Sequence, residues 1–503
     1  MNAVAEVCIT RQRLQRASPS GLASVFFPFV QLFVWPRLSD HSVFDPGLSS
    51  NTSGGIMIED AIAYVDRTIG RSLQDLKRLC RIPSVAAKGE GITEAAELVE
   101  KMLSEVGLQT RVYETSGSPV VTGKVDTGTK RTLLFYDHYD VQPAEPLDLW
   151  ESSPYNPVIR NGRIFGRGTA DNKGDLISRI WAMKALKETG HKLPINVKFI
   201  VEGEEEISSP HLPEFARANA SFLKADGGIW EFGGSGPGGT QEAWLGLKGI
   251  LYVQLEVQLL SHDAHSANAC VLPSAAYTLV HALASLKDQR GRVMIRGFYD
   301  GVRPLTPAEV EAATKMDLQE RVFKEHYGIE EFLNGMSGME VKEAYYNKPT
   351  CNICGLDSGW QGEGSKTVLP AKASAKVDFR LVEGMDPEDI LRKLRLHLDQ
   401  NGFSAVNIPW HEGYPAAKAP VDHPFVKVVA AANRRAFGHD IDIHITSPGS
   451  GPLYLFKDKV PMVSIGCGDF FSRVHSPNES IMLENYQKSI KRIVYLMDEM
   501  EHL

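Results

Sequence analysis

The sequence predicts an α/β fold with a smaller α+β domain inserted into it, because its texture changes twice along the chain. From residue 57 onward, apolar strand-like runs that end in acids or histidine alternate with helix-like periods, the pattern of a sheet covered by helices. Near residue 246 strict apolar–polar alternation takes over, as in "LYVQLEVQLL", which suits a sheet buried on one face. Buried-strand character returns after about residue 416. The expected division is therefore 57–245 with 417–503 for the α/β part and 246–416 for the insertion.

Each element follows from local pattern. Ile58, Ile62, Val65, Ile69, Leu73, Leu76 and Leu79 step by threes and fours, so the spacing predicts an amphipathic helix ending before Pro83. A second helix is expected from about Thr93 to Val106, with Gly107 as its stop. "TLLFY" reads as a buried strand, Asp175 to Thr189 as a helix, and "INVKFIVEG" as a strand ending at acids. "SFLKAD" reads as a further strand, ending at Asp226. In the insertion, Leu251, Val253, Leu255, Val257 and Leu259 share one face, and "AKVDFRLV" repeats the alternation. Asp386 as N-cap and Pro387 at the first position announce a helix closed by Asn401 and Gly402. "VPMVSIGCG" reads as a buried strand and "ENYQKSIKRIVYLMDEM" as the last helix.

Residues 1–56 differ from the rest. Arg11, Arg13 and Arg16 precede the apolar "VFFPFVQLFVW", the order of a signal peptide. Pro28 interrupts that run, which has about half the length a membrane span needs, so a disordered extension or a misassigned start fits equally well. No other stretch is suited to crossing a membrane. The net charge of −8 argues against nucleic acid, which needs a basic face. Six scattered cysteines in 503 residues make no disulfide framework, so a reducing, cytoplasmic location is expected. Cys351 and Cys354 form a CxxC without further ligands nearby, and "GGSGPGG" lacks the Lys-Ser/Thr of a phosphate loop.

Five segments place His, Asp or Glu beside strand ends, where α/β sheets carry their active sites. They contain His138 and Asp140; Asp171; Glu202, Glu204, Glu205 and Glu206; Asp226; and His475. Taken singly each has a plainer structural reading: a loop pair, a helix cap, a solvated acidic face, a turn. Together, two imidazoles and at least three carboxylates fit two borderline metals that share a carboxylate. Asp140, two residues after His138, can orient a ligating imidazole. The pair Glu205-Glu206 permits one ligand and one general base.

"DHYDVQP", "GRGTADNKGD", "EGEEE" and "VHSPNE", in this order, resemble the motifs of the M20 metallopeptidases, which include carnosine-type dipeptidases, carboxypeptidase G and N-acyl amino-acid deacylases. The resemblance runs from about residue 57 to the C-terminus. It implies an exopeptidase-like catalytic domain with two divalent metals, zinc before manganese or cobalt. His138 and Asp226 would hold one metal, Glu206 and His475 the other, and Asp171 would bridge them, its peptide bond to Asn172 being cis. Asp140 would orient His138, and Glu205 would be the general base and acid. The insertion resembles the family's lid and dimerisation domain, so a homodimer is implied. His265 would then reach into the partner's site, with Thr367 and Arg380 at positions that bind the substrate's carboxylate and Ser450 on a substrate-facing loop. His262 shares the neighbourhood of His265, and a hydrogen-bonded loop residue is the plain alternative for the latter.

The expected reaction is metal-dependent hydrolysis of an amide bond in dipeptides or short peptides with a free C-terminal carboxylate. The rival is deacylation of N-acyl amino acids at the same site. A catalytically inactive binding protein of this family would be expected to lose a ligand or the base, and all those positions are filled. Ile207-Ser208-Ser209 replaces the dipeptidases' Ser-Gly-Ser, and "SANACVLP" replaces their Gly-rich stretch around His265, so this chain departs from the carnosine-type enzymes near the substrate.

Overall fold

A computed structural model of the protein describes residues 53–503. The signal-peptide and extension readings fall almost wholly on residues 1–52, outside the described residues; the first helix begins four positions before Met57, at Ser53. Among the described residues no helix is long and apolar enough to cross a membrane.

Helices α1 (Ser53–Cys80) and α2 (Ile92–Glu105) lead into strands β1 (Gln109–Tyr113), β2 (Val120–Val125) and β3 (Thr132–His138). Then follow α3 (Lys173–Glu188), β4 (Asn196–Glu202), β5 (Gly227–Trp230) and β6 (Gln241–Trp244). The insertion supplies β7 (Gly249–Gln258), α4 (Ala275–Leu286), β8 (Asn352–Ser358), β9 (Lys372–Leu381), α5 (Pro387–Gln400) and β10 (Asn407–Tyr414). The chain closes with α6 (Pro424–Phe437), β11 (Met462–Ser464) and α7 (Leu483–Glu501).

A ten-stranded sheet carries the path β1-β2-β4-β3-β5-β11-β6, continued by two short strands. β3 runs parallel to β4 and β5, and β5 parallel to β11, so their C-terminal ends share one edge. Leu133 and Phe135 of β3 enter the core under α1, α3 and α7, while Leu134 and Tyr136 enter a second core on the opposite face. A strand buried on both faces must be apolar throughout, which is what "TLLFY" shows.

The strand read at "SFLKAD" lies elsewhere. Residues 221–226 run as a turn and irregular chain without a strand, and the sheet is joined one segment later by "GGIW". Glycine opens β5 because other side chains occupy its Cβ positions. A Cβ at Gly227 would sit 2.3 Å from the Phe425 ring, and one at Gly228 2.1 Å from Met462 Sδ.

In the insertion, β8-β9-β7-β10 form an antiparallel sheet, with α4 and α5 covering one face. Leu251, Val253, Leu255 and Val257 are buried against them, whereas Leu259 falls just beyond β7 and is partly buried. Asp386 caps α5 by accepting the Asp389 N–H at 2.9 Å. Residues 246–247 pair with 417–418, so the chain leaves and re-enters the larger sheet's neighbourhood at one crossing. Three helices unmarked by the sequence patterns above, Pro307–Lys315, Glu320–Tyr327 and Met339–Asn347, also belong to this stretch. Tyr346 and Met316 from it pack with Ile445.

Candidate active site

His138 is the last residue of β3 and is buried at the shared sheet edge. Its Nε2 lies 3.0 Å from Asp171 Oδ1, and its Nδ1 lies 3.1 Å from the Asp140 carbonyl and 3.3 Å from Asp140 Oδ1. The Asp140 carboxylate also accepts the backbone N–H groups of Glu205 at 3.2 Å and Glu206 at 3.0 Å. One side chain thus orients the imidazole and pins the 3-10 turn that carries both glutamates. His475 Nε2 stands 3.0 Å from Asp171 Oδ2 and 3.0 Å from Glu206 Oε2. Asp171 therefore presents one carboxylate oxygen to each imidazole.

The loop bearing Asp171 is shaped from the far end of the chain. Glu479 accepts from Arg167 Nη1 at 2.7 Å and from the backbone N–H groups of Gly168, Ala170 and Asp171 at 2.8–3.1 Å. The Asp171–Asn172 peptide bond is cis. The Asn172 side chain accepts the His138 N–H at 3.2 Å and donates to the Glu231 carbonyl, so it ties the ends of β3 and β5. Beneath it, buried Arg179 donates to the carbonyls of Tyr136 and Trp230 and to Asp137 Oδ1.

The structure corrects one member of the expected ligand set. Asp226 lies at the opposite end of β5, accepting from Arg131 Nη1 at 3.2 Å and from the Thr132 N–H at 2.9 Å, where β3 begins. At about 3.3 Å of rise per residue, the whole strand separates it from His138. Glu231, just past the other end of β5, takes its place. His138, Asp171 and Glu231 form one group, and Asp171, Glu206 and His475 a second, with the ligand atoms of each group within 4.8 Å of one another. Sequence reading missed Glu231 because the strand was placed too early; the signal was an acid directly after "GGIW". Glu479 was visible only as the last letter of "VHSPNE".

Burial pushes the Glu205 carboxyl well above its usual range, with the charges of Glu231, Glu206 and Asp171 adding to the effect and His138 opposing it. Burial likewise raises Glu206, and raises Glu231 to about 8. Hydrogen bonds to Asp171 and Glu206 raise His475 to about 10. Burial opposes ionisation of His138 and Asp171, yet their bonds prevail: His138 is raised and Asp171 lowered. Four carboxyl groups crowded about two imidazoles resist ionising together, a repulsion that divalent cations would relieve, and oxygen and imidazole donors suit such ions. The residues present fit divalent metals.

A cleft of about 490 Å³ opens beside this cluster, lined by Asp171, Glu205, Glu231 and His475 together with the aromatic side chains of Phe232, Trp244, Tyr345 and Phe470. Ser450 lines it, accepts from Arg380 Nη1 at 2.7 Å and donates to the Gly249 carbonyl at 3.1 Å. Arg380 also pairs with Asp378 at 3.3 Å. His265, on a short two-stranded ladder, and Thr367, just before its partner strand, lie 3.4 Å apart, and both are exposed, outside the lining of the cleft. His262 nearby bonds Ser261. The structure thus gathers His138, Asp140, Asp171, Glu205, Glu206 and His475, attaches Arg380 and Ser450 to the cleft's rim, and leaves His265 and Thr367 apart.

Comparison with known proteins identifies the family. The family description "Peptidase family M20/M25/M40" matches residues 134–499. The chain is 30% identical over 466 residues to the Cys-Gly metallodipeptidase of Schizosaccharomyces pombe, covering 85% of this chain and 95% of that protein. It is 29% identical over 404 residues to the β-Ala-His dipeptidase of Homo sapiens, covering 76% and 78% respectively. Among solved structures, an M20 family metallo-carboxypeptidase from Sulfolobus solfataricus superposes with a TM-score of 0.82 at 36% identity, covering 86% of this chain and 99% of that one. Human carnosine dipeptidase 1 superposes with a TM-score of 0.77 at 26% identity, covering 89% and 99%. With two carboxylate–imidazole groups sharing Asp171 at one sheet edge and a family match over most of its length, the chain belongs to peptidase family M20/M25/M40 and is a metal-dependent hydrolase of peptide bonds.

Proposed function

We propose that the protein hydrolyses dipeptides or short peptides that carry a free C-terminal carboxylate, using two divalent metals per chain. The observation that supports this most directly is Asp171, whose two oxygens each lie 3.0 Å from a different imidazole, with Glu231 and Glu206 flanking it. His138, Asp171 and Glu231 would hold one ion, and Asp171, Glu206 and His475 the other; zinc is the first choice, manganese and cobalt the alternatives. When bound, such ions polarise the scissile carbonyl and lower the pKa of water. Glu205, on the cleft wall, accepts the proton of the attacking water and delivers it to the leaving nitrogen. Its raised pKa suits a group that must give a proton as readily as take one. Asp140 holds His138 and the 205–206 turn in place. Arg380, beside Ser450 at the rim, offers a guanidinium for the substrate's terminal carboxylate.

We further propose that residues 57–245 and 417–503 act as the catalytic domain and 246–416 as lid and dimerisation domain. His265 and Thr367, exposed and away from their own cleft, would complete the partner's site in a homodimer. The free thiols of Cys80, Cys270, Cys351, Cys354 and Cys467 suit a cytoplasmic setting.

The test is product analysis by mass spectrometry with dipeptides, tripeptides and N-acyl amino acids, after chelation and return of each metal in turn. Metal-dependent release of amino acids from dipeptides supports the proposal. Cleavage confined to N-acyl amino acids would replace it with deacylation.

A further inference from the structure

The cleft holds a carboxylate that the chemistry above does not use. Glu242 lies on β6, which runs antiparallel to β11 with Trp244 opposite Ser464. Because β6 runs the other way, its first residues lie at the edge where β3, β5 and β11 end. Glu242 is two strands from the strand that delivers Glu231, about 10 Å at ordinary strand spacing. Its side chain lines the same cleft as Glu205 and Glu231, and no lysine or arginine is among the lining residues described.

The surroundings leave this carboxylate partly exposed and, among the described residues, without a lysine or arginine partner. Its one ion-pairing neighbour among the described residues is His444, whose Nε2 stands 3.5 Å from Glu242 Oε1. His444 is buried, stacks on Trp244 at 3.9 Å between ring centroids, and meets the Tyr346 hydroxyl through Nδ1 at 2.9 Å. The Nε2 makes no hydrogen bond among the described residues, so the imidazole approaches the Glu242 carboxylate without satisfying it. The carboxylate is seated against a glycine: a Cβ at Gly236 would lie 2.3 Å from Glu242 Oε1. Trp244, Tyr345 and Phe470 line the cleft around it, and aromatic faces beside a carboxylate suit an alkylammonium group.

We propose that Glu242 is the counter-ion for a cationic group on the amino-side residue of the substrate. The inference rests on the peptidase reading of the cleft and extends it to substrate choice. The cation is either a side-chain ammonium, as in lysine, or the α-ammonium itself. Glu242 acts on binding alone and takes no part in bond cleavage.

The experiment uses the metal-restored full chain and its Glu242→Gln variant, with Glu242→Asp as the conservative control. Binding of L-lysine, L-norleucine and N-acetyl-norleucine is measured by calorimetry, and kcat and KM are measured for Lys-, Met- and N-acetyl-Met-headed peptides. A tenfold or larger preference for lysine over norleucine that Glu242→Gln abolishes, chiefly through KM, with the neutral N-acetyl substrate unchanged, supports the side-chain source. A preference for norleucine over its N-acetyl form that the variant abolishes supports the α-ammonium source. Equal binding of all three ligands by wild type and variant overturns the proposal. Absence of turnover with retained, Glu242-dependent cation binding would instead sink the peptidase reading and reduce Glu242 to a cation subsite with no role in substrate choice.

Discussion

Glu205 and Glu206 are neighbours in sequence with different surroundings. Glu206 meets His475 at 3.0 Å and accepts the Gln142 N–H at 3.2 Å, the position of a held ligand. Glu205 turns its carboxylate to the cleft. Replacing Glu205 by Gln is therefore expected to lower kcat by about 10²–10⁴-fold with metal content unchanged, as measured by steady-state kinetics beside elemental analysis. Glu231 and Asp226 make a paired test of the corrected ligand set. Glu231→Ala should lose a metal per chain, whereas Asp226→Asn should keep both and cost at most about 1 kcal/mol, since its pairing with Arg131 is partly exposed. A normal metal count in Glu231→Ala would return the question to Asp226.

At the scale of elements, the site is a set of strand ends and turns held by buried polar groups. The buried pair Arg167–Glu479 joins the loop before α3 to the loop before α7, and Glu479 also takes three backbone N–H groups of that first loop. Removing one partner of a buried pair costs about 3–5 kcal/mol. Glu479→Ala is expected to lower stability by that order in denaturant titration and to weaken metal binding, although Glu479 is in neither ligand group. Unchanged metal affinity would show that the loop keeps its shape without it. Most elements were legible from periodicity: the heptad-like run of α1, the buried β3, the alternating β7 and the Asp386–Pro387 start of α5. β5 was not, because two glycines occupy positions where Phe425 and Met462 pack, and only the folded chain reveals those neighbours. The misplacement of that strand is what carried Asp226 into the expected ligand set.

At the scale of the whole molecule, charge and assembly are the levers. Clustered buried carboxylates destabilise the metal-free protein, and ions that bind only the folded state stabilise it by RT ln(1 + [L]/Kd), about 4 kcal/mol at a thousandfold excess over Kd. Chelation should lower the melting temperature in calorimetry, and returning zinc should restore it; an unchanged transition would argue against tight metal binding. If His265 serves the partner's cleft, an inactive Glu205→Ala chain and a weakened His265→Ala chain should regain activity when refolded together. No gain on mixing, in a sample shown by ultracentrifugation to be dimeric, would keep His265 within its own chain.

The sequence alone determined the fold class, the order of most elements and the residue types of the site, because apolar periodicity and the motifs around His138, Asp171, Glu206 and His475 are local patterns. Tertiary structure decided which acid stands beside His138, since that depends on which end of β5 meets the end of β3. It likewise brought Glu242 to the cleft by running β6 antiparallel, a pairing set by packing between segments far apart in sequence.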